Sequence, residues 1–142
     1  MTRKRFLAVL LVPCWVAFAA QEPQYQQPPE EDEDLTHGTE YSFNPLQASK
    51  EFKVGEFYWK KKNYRAAAGR YQEAVKWNPN YAEAYWKLAL AEEKLAEKET
   101  QETQKQMKIE AARKAFQKYL DLEPDGKRAK TARQHLARLE RH

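Results

Sequence analysis

Two stretches of this chain repeat one another in pattern, and that self-similarity restricts the fold more than any other feature. Val54-Gly55-x2-Tyr58 is followed by Ala67-x3-Tyr71, by a second small residue at Ala74, and by Pro79. Leu88 stands 34 residues after Val54, with aromatic Tyr85 before it and small Ala89 after it. The rear half of the pattern returns as Ala112-x3-Phe116 and Pro124, again with eight residues from aromatic to proline. A period of this length marks a supersecondary unit that cannot bury its apolar face alone and stacks on copies of itself. The residue types have physical reasons. Gly55 and Ala89 let one helix of a hairpin approach its partner, and Ala67 or Ala112 is the small residue received on the other helix. Tyr58, Tyr71 and Phe116 fill the space between helices, and the prolines end each unit.

The rest of this region is helical in character. Glycines are few, Ala, Lys, Glu, Leu and aromatics are many, and Phe52, Val54, Phe57 and Tyr58 fall at helical spacing. No run of alternating polar and apolar residues occurs, so an all-α domain is expected over 45–142. Asn44-Pro45 supplies a cap and a first-turn proline for a helix to about 62. Asn63 is a turn, 64–77 a second helix, and Asn78-Pro79-Asn80 a break. A third helix is expected over 81–95. A fourth contains Met107, Ile109, Ala112, Phe116 and Leu120 and stops before Pro124, and a fifth follows from 127 to about 141.

The order and spacing resemble the tetratricopeptide repeat, whose 34-residue pattern is W-x2-L-G-x2-Y, then A-x3-F, then P. The resemblance covers roughly 47–142 and implies an α-solenoid of about two helical hairpins plus a C-terminal capping helix. It also implies a concave groove that holds a peptide or partner protein, and no catalytic site or cofactor. Three departures stand out. Glu51 occupies the place of the opening Trp. Tyr119 stands where the first unit has Ala74. The interval from Ala67 to Ala112 is 45 residues, so 11 extra residues fall within 96–106. That stretch is polar and rich in strong helix formers, so both helices of the second hairpin are expected to lengthen into solvent. In the fifth helix, Lys127, Arg128, Lys130, Arg133 and Arg138 are expected to face water, as a terminal cap requires.

The N-terminal segment differs in kind. Arg3-Lys4-Arg5, a short apolar run from Phe6 to Val12, and Ala17-Phe18-Ala19 have the pattern of a secretory signal peptide over 1–19, cut after Ala19. The cell envelope, either periplasm or secreted, is then the expected location. Cys14, the single cysteine, lies within it, so the processed chain has no thiol. A lipoprotein signal ending at Cys14 is the weaker alternative, because Pro13 precedes the cysteine and apolar residues continue past it. Residues 20–44 are rich in Gln, Pro and Glu and read as a disordered acidic tether. Seven acids and no Lys or Arg lie between 22 and 40, whereas 45–142 holds 22 Lys and Arg against 14 Asp and Glu. The processed chain is therefore close to neutral, and its field demands no polyanion.

No constellation for catalysis or metal binding emerges. His37, His135 and His142 are scattered, and there is no Gly-rich phosphate loop or HExxH. Glu92 and Glu93 are adjacent on one helix, point in different directions, and are expected at the solvated surface. By the resemblance, Phe52, Lys53, Glu56, Trp59, Lys60, Trp86, Lys87, Leu90 and Lys94 line the concave groove or its rim. Aromatic anchors bordered by lysines suit a peptide with apolar and acidic residues. Phe52 and Trp86 fit packing between helices equally well. Family members that clamp acidic C-termini of chaperones carry Lys and Asn where this chain has Phe52 and Glu56, which argues against that activity. The basic fifth helix reads as a solubilising cap, so neither nucleic acid nor a stable membrane span is expected. The partner is a protein or peptide, with a monomer or a weak homo-oligomer of this chain as the assembly. Either the acidic tether shields the lysines around Trp59 and Trp86 or it is a solvated spacer. Because Ala89 matches Gly55, alanine at 55 is expected to be tolerated.

Overall fold

A computed structural model describes residues 41–141, so the expected signal segment and most of the tether lie outside the described residues. Five helices follow in order: α1 (Pro45–Lys60), α2 (Tyr64–Trp77), α3 (Ala82–Lys98), α4 (Glu102–Leu122) and α5 (Ala129–Leu139). No strand occurs among the described residues. Asn44 caps α1 by accepting from the Gln47 amide at 3.0 Å, with Pro45 in the first turn. Asn63 caps α2 in the same way through the Ala66 amide at 3.2 Å. α1 stops two residues earlier than its composition predicts, because Lys62 takes a left-handed conformation, φ 58°, and reverses the chain.

Each helix packs against the next, α1 on α2, α2 on α3, α3 on α4 and α4 on α5, which is a stack of antiparallel hairpins closed by a single helix. Close approach comes from alanine. Ala48, Ala67, Ala74, Ala84, Ala89, Ala91, Ala112 and Ala132 are wholly buried, and the large fillers between them are Tyr71, Phe116 and Tyr119. Val54 is buried as well, Tyr58 and Leu88 are half-buried, and Pro79 and Pro124 sit exposed in the turns.

The equivalence of Gly55 and Ala89 is incomplete. A Cβ on Gly55 would come within 2.6 Å of Tyr71 Cε1, so the expectation that alanine is tolerated there does not hold. The Tyr71 hydroxyl donates to Glu56 Oε1 at 2.5 Å, which holds the ring across the glycine. Phe116, its counterpart, has no hydroxyl to be held.

The 11 inserted residues divide between two helices, as expected. Counting from the first hairpin, α3 runs four residues beyond the equivalent of Lys60, and α4 begins seven residues before the equivalent of Tyr64. Four and seven residues are close to one and two helical turns. The lengthened ends therefore meet on the same faces as before, and another three-residue turn, 99–101, joins them. Ala96 and Ile109 stay buried, while Met107 is 60% exposed.

The other departures also have accounts. Glu51 is buried at the place of the missing Trp, accepting from Gln47 Nε2 at 2.9 Å and from Arg70 Nη1 at 3.3 Å. Tyr119, where the first hairpin has Ala74, reaches with its hydroxyl to a turn kept close by Gly126, where a Cβ would meet Glu123 Oε2 at 2.7 Å, Glu123 Cβ at 2.9 Å and the Tyr119 hydroxyl at 3.0 Å. The Tyr119 ring packs on Trp86 with centroids 5.6 Å apart.

Candidate partner-binding surface

Side-chain pairs link α1 to α3 and α3 to the α5 end of the chain. Between α1 and α3, Lys87 Nζ lies 2.9 Å from Glu56 Oε1 and 5.6 Å from the centre of the Trp59 ring. Between α3 and α5, Arg128 pairs with Glu83, while Glu93 receives His135 Nδ1 and Arg138 Nη2, both at 2.7 Å. Glu93 raises the affinity of the Arg138 guanidinium for its proton, through the hydrogen bond first and the charge second.

Two expectations are corrected by this geometry. Glu92 and Glu93 are buried, not solvated. Neighbouring helical residues point about 100° apart, so Glu93 meets α5 while Glu92 meets α4, where Lys108 Nζ lies 3.2 Å away. Arg128 and Arg138 do not simply face water, since both reach back across α3. The bridging pairs carry a signal in the sequence. Arg128 and Arg138 lie 45 residues after Glu83 and Glu93, the interval from Ala67 to Ala112, so acid and base hold the same register in successive first helices.

The nine groove candidates separate into three groups. Trp86 is 8% exposed, packed among Phe116, Tyr119 and His135 with Arg128 stacked on its ring, and so belongs to the core and not to the groove surface. Phe52 is half-buried between Tyr71 and Tyr81, with centroids 5.6 and 5.1 Å away, and its role is also packing. Glu56 and Lys87 are spent on each other and on Tyr71. Trp59 and Leu90 are half-buried, Trp59 edge-on to Tyr64 at 5.1 Å and Leu90 against the core of the second hairpin. Lys53 and Lys60 are exposed, and Lys94 pairs with Glu97 at 2.6 Å, which raises its pKa. Of the apolar candidates, Trp59 and Leu90 thus remain half-exposed, with Lys53 and Lys60 exposed on α1. Packing, which no spacing rule reports, removed Phe52 and Trp86 from that set.

Among the described residues there is no group of three His, Cys, Asp or Glu able to hold a metal, and no helix long and apolar enough to cross a membrane. No curated protein matches the chain. The family model described as TPR repeat matches residues 55–95, from Gly55 in α1 to Leu95 in α3. The match takes in the last turns of α1, all of α2 and most of α3, so this part of the all-α stack of helical hairpins is similar to a TPR repeat.

Proposed function

We propose that the α1–α3–α5 face is the docking surface for a segment of a partner protein in the cell envelope, one that carries an apolar residue beside acidic ones. TPR repeats mediate protein–protein interaction as non-catalytic scaffolds. The observation that carries the proposal is the accessible set on this face. Trp59 and Leu90 pack against the core yet stay half-exposed, and exposed Lys53 and Lys60 share α1 with Trp59 and have no carboxylate partner among the described residues. The cross-helix pairs Glu56–Lys87, Glu83–Arg128 and Glu93–Arg138 hold the face rigid before a ligand arrives, which lowers the ordering cost of binding. The envelope location rests on the basic, apolar and small-residue pattern of residues 3–19.

Titration calorimetry with a peptide of alternating Asp and Leu tests the reading. Lys53→Glu with Lys60→Glu is expected to weaken binding at least tenfold and to flatten its dependence on salt. Trp59→Ala is expected to weaken binding at both low and high salt. Unchanged affinity in both variants would reject this face as the docking surface.

A further inference from the structure

The edge of the stack before α1 has no preceding hairpin among the described residues, yet it is not bare. The Asn44 amide donates to the Trp77 carbonyl at 2.9 Å, and the Tyr41 ring meets Trp77 edge-on at 4.9 Å. The Tyr41 hydroxyl pairs with Glu73, one turn earlier in α2. The Tyr41 side chain therefore lies along α2, its ring at Trp77 and its hydroxyl one turn nearer the start of the helix. Directly ahead of Tyr41 lies an open groove of about 330 Å³ between α1 and α2, lined by Tyr58, Ala66, Gly69, Arg70 and Glu73.

Gly69 is the second observation. It sits in the middle of α2, where glycine is less favourable than alanine, and a Cβ there would meet nothing within 4 Å. No contact in the described fold calls for a glycine, whereas a second backbone lying close against the helix would. Charge is the third. At the far end of the groove the α1–α2 turn and first turn of α2 carry Lys61, Lys62 and Arg65, none with a carboxylate partner among the described residues. The chain immediately upstream of Tyr41 holds Glu40 and the acidic run at 30–34.

We propose that this groove is the docking site of the chain's own acidic segment, residues 30–40, which lies extended across Gly69 with its acids at Lys61, Lys62 and Arg65. The reach suffices: from Tyr41 back to Asp34 an extended chain covers about 23 Å, while Glu73 and Arg65 are about 12 Å apart along the helix. Joined to the same chain, the segment meets the groove at an effective concentration on the order of millimolar, so weak individual pairs populate the docked form. The expected shield over Trp59 and Trp86 is thereby replaced, since Trp86 is buried and Tyr41 lies against α2.

The test uses the full chain with Cys14→Ser and a nitroxide on Thr36→Cys. At low salt the amide signals of Ala66, Gly69 and Arg65 are expected to broaden while those of Leu90 and Lys94 keep their intensity. High salt, or neutralising the run with Glu31→Gln, Glu33→Gln and Asp34→Asn, is expected to restore the broadened signals. Gly69→Trp fills the groove at a position where a side chain meets no neighbour, and is expected to restore them too. Broadening centred on Leu90 and Lys94, or none at all, overturns the proposal. So does broadening of unlabelled chains mixed with nitroxide-bearing ones, which would make the occupant a second copy.

Discussion

The ring of Tyr71 lies across Gly55 so closely that a Cβ on the glycine would meet Cε1 at 2.6 Å and Cδ1 at 2.7 Å. The ring cannot swing aside freely, because it is wholly buried and its hydroxyl is bonded to Glu56, which in turn holds Lys87 of α3. One contact therefore sets the spacing of α1 and α2 and the position of α3. Gly55→Ala is expected to destabilise the domain by about 2 kcal/mol, and Gly55→Leu by more, as overpacking does. Urea denaturation of the three proteins checks this; equal midpoints for the parent and Gly55→Ala would show that the helices part at no cost.

The Tyr71 phenol is pushed well above its ordinary pKa of 10.0, by burial first and then by its hydrogen bond to Glu56 and that residue's charge. Its ionised form is thus disfavoured in the folded state relative to the unfolded one. Stability from this group is complete below pH 10 and is lost as pH rises beyond it. Tyr81, Tyr85 and Tyr119 are raised too, each chiefly by burial, and add in the same direction. Denaturant titrations at pH 8 to 11 are expected to show a falling midpoint that is shallower in Tyr71→Phe. A slope identical in the two proteins would mean that Tyr71 ionises as freely folded as unfolded.

Glu93 joins α3 to α5 through two partners, and its side chain is 5% exposed. Glu93→Ala is expected to cost about 2–3 kcal/mol, because removing a buried carboxylate leaves its partners facing a void. Arg138 is half-exposed and recovers part of its hydration, which keeps the loss below that of a fully buried pair. Glu110→Ala, which breaks an exposed pair with Arg113, is expected to cost less than about 0.5 kcal/mol. Thermal melts of the two variants side by side distinguish a structural bridge from a surface pair.

Lys62 occupies the left-handed region at φ 58° in the turn between α1 and α2. A side chain there costs about 1 kcal/mol, partly offset by the greater flexibility that glycine brings to the unfolded chain. Lys62→Gly is expected to raise stability by about 0.5 kcal/mol, read as a higher urea midpoint at constant slope. Lys62→Val is expected to lower it, since a β-branched residue is least suited to that conformation.

The repeat interval, the caps at Asn44 and Asn63, and the proline stops determined the helices and their hairpin pairing from the sequence alone. These are local properties: a cap acts over three residues, and a small residue one turn from an aromatic describes one helix face. The division of the 11 inserted residues was legible for the same reason, because strong helix formers near whole-turn lengths extend the helices already present. Tertiary structure decided the rest. Whether Trp86 lines a groove or fills a core depends on the C-terminal segment folding back over it, which brings His135 of α5 and Arg128 just before that helix from 42 or more residues away. Glu92 and Glu93 look like surface residues by type, and only the proximity of Lys108, His135 and Arg138 makes their burial affordable. Gly55 and Ala89 are alike in spacing yet unlike in tolerance, because the distance between two packed helices is set by the side chains that meet there, and a hydroxyl bonded to Glu56 exists in only one of the two hairpins.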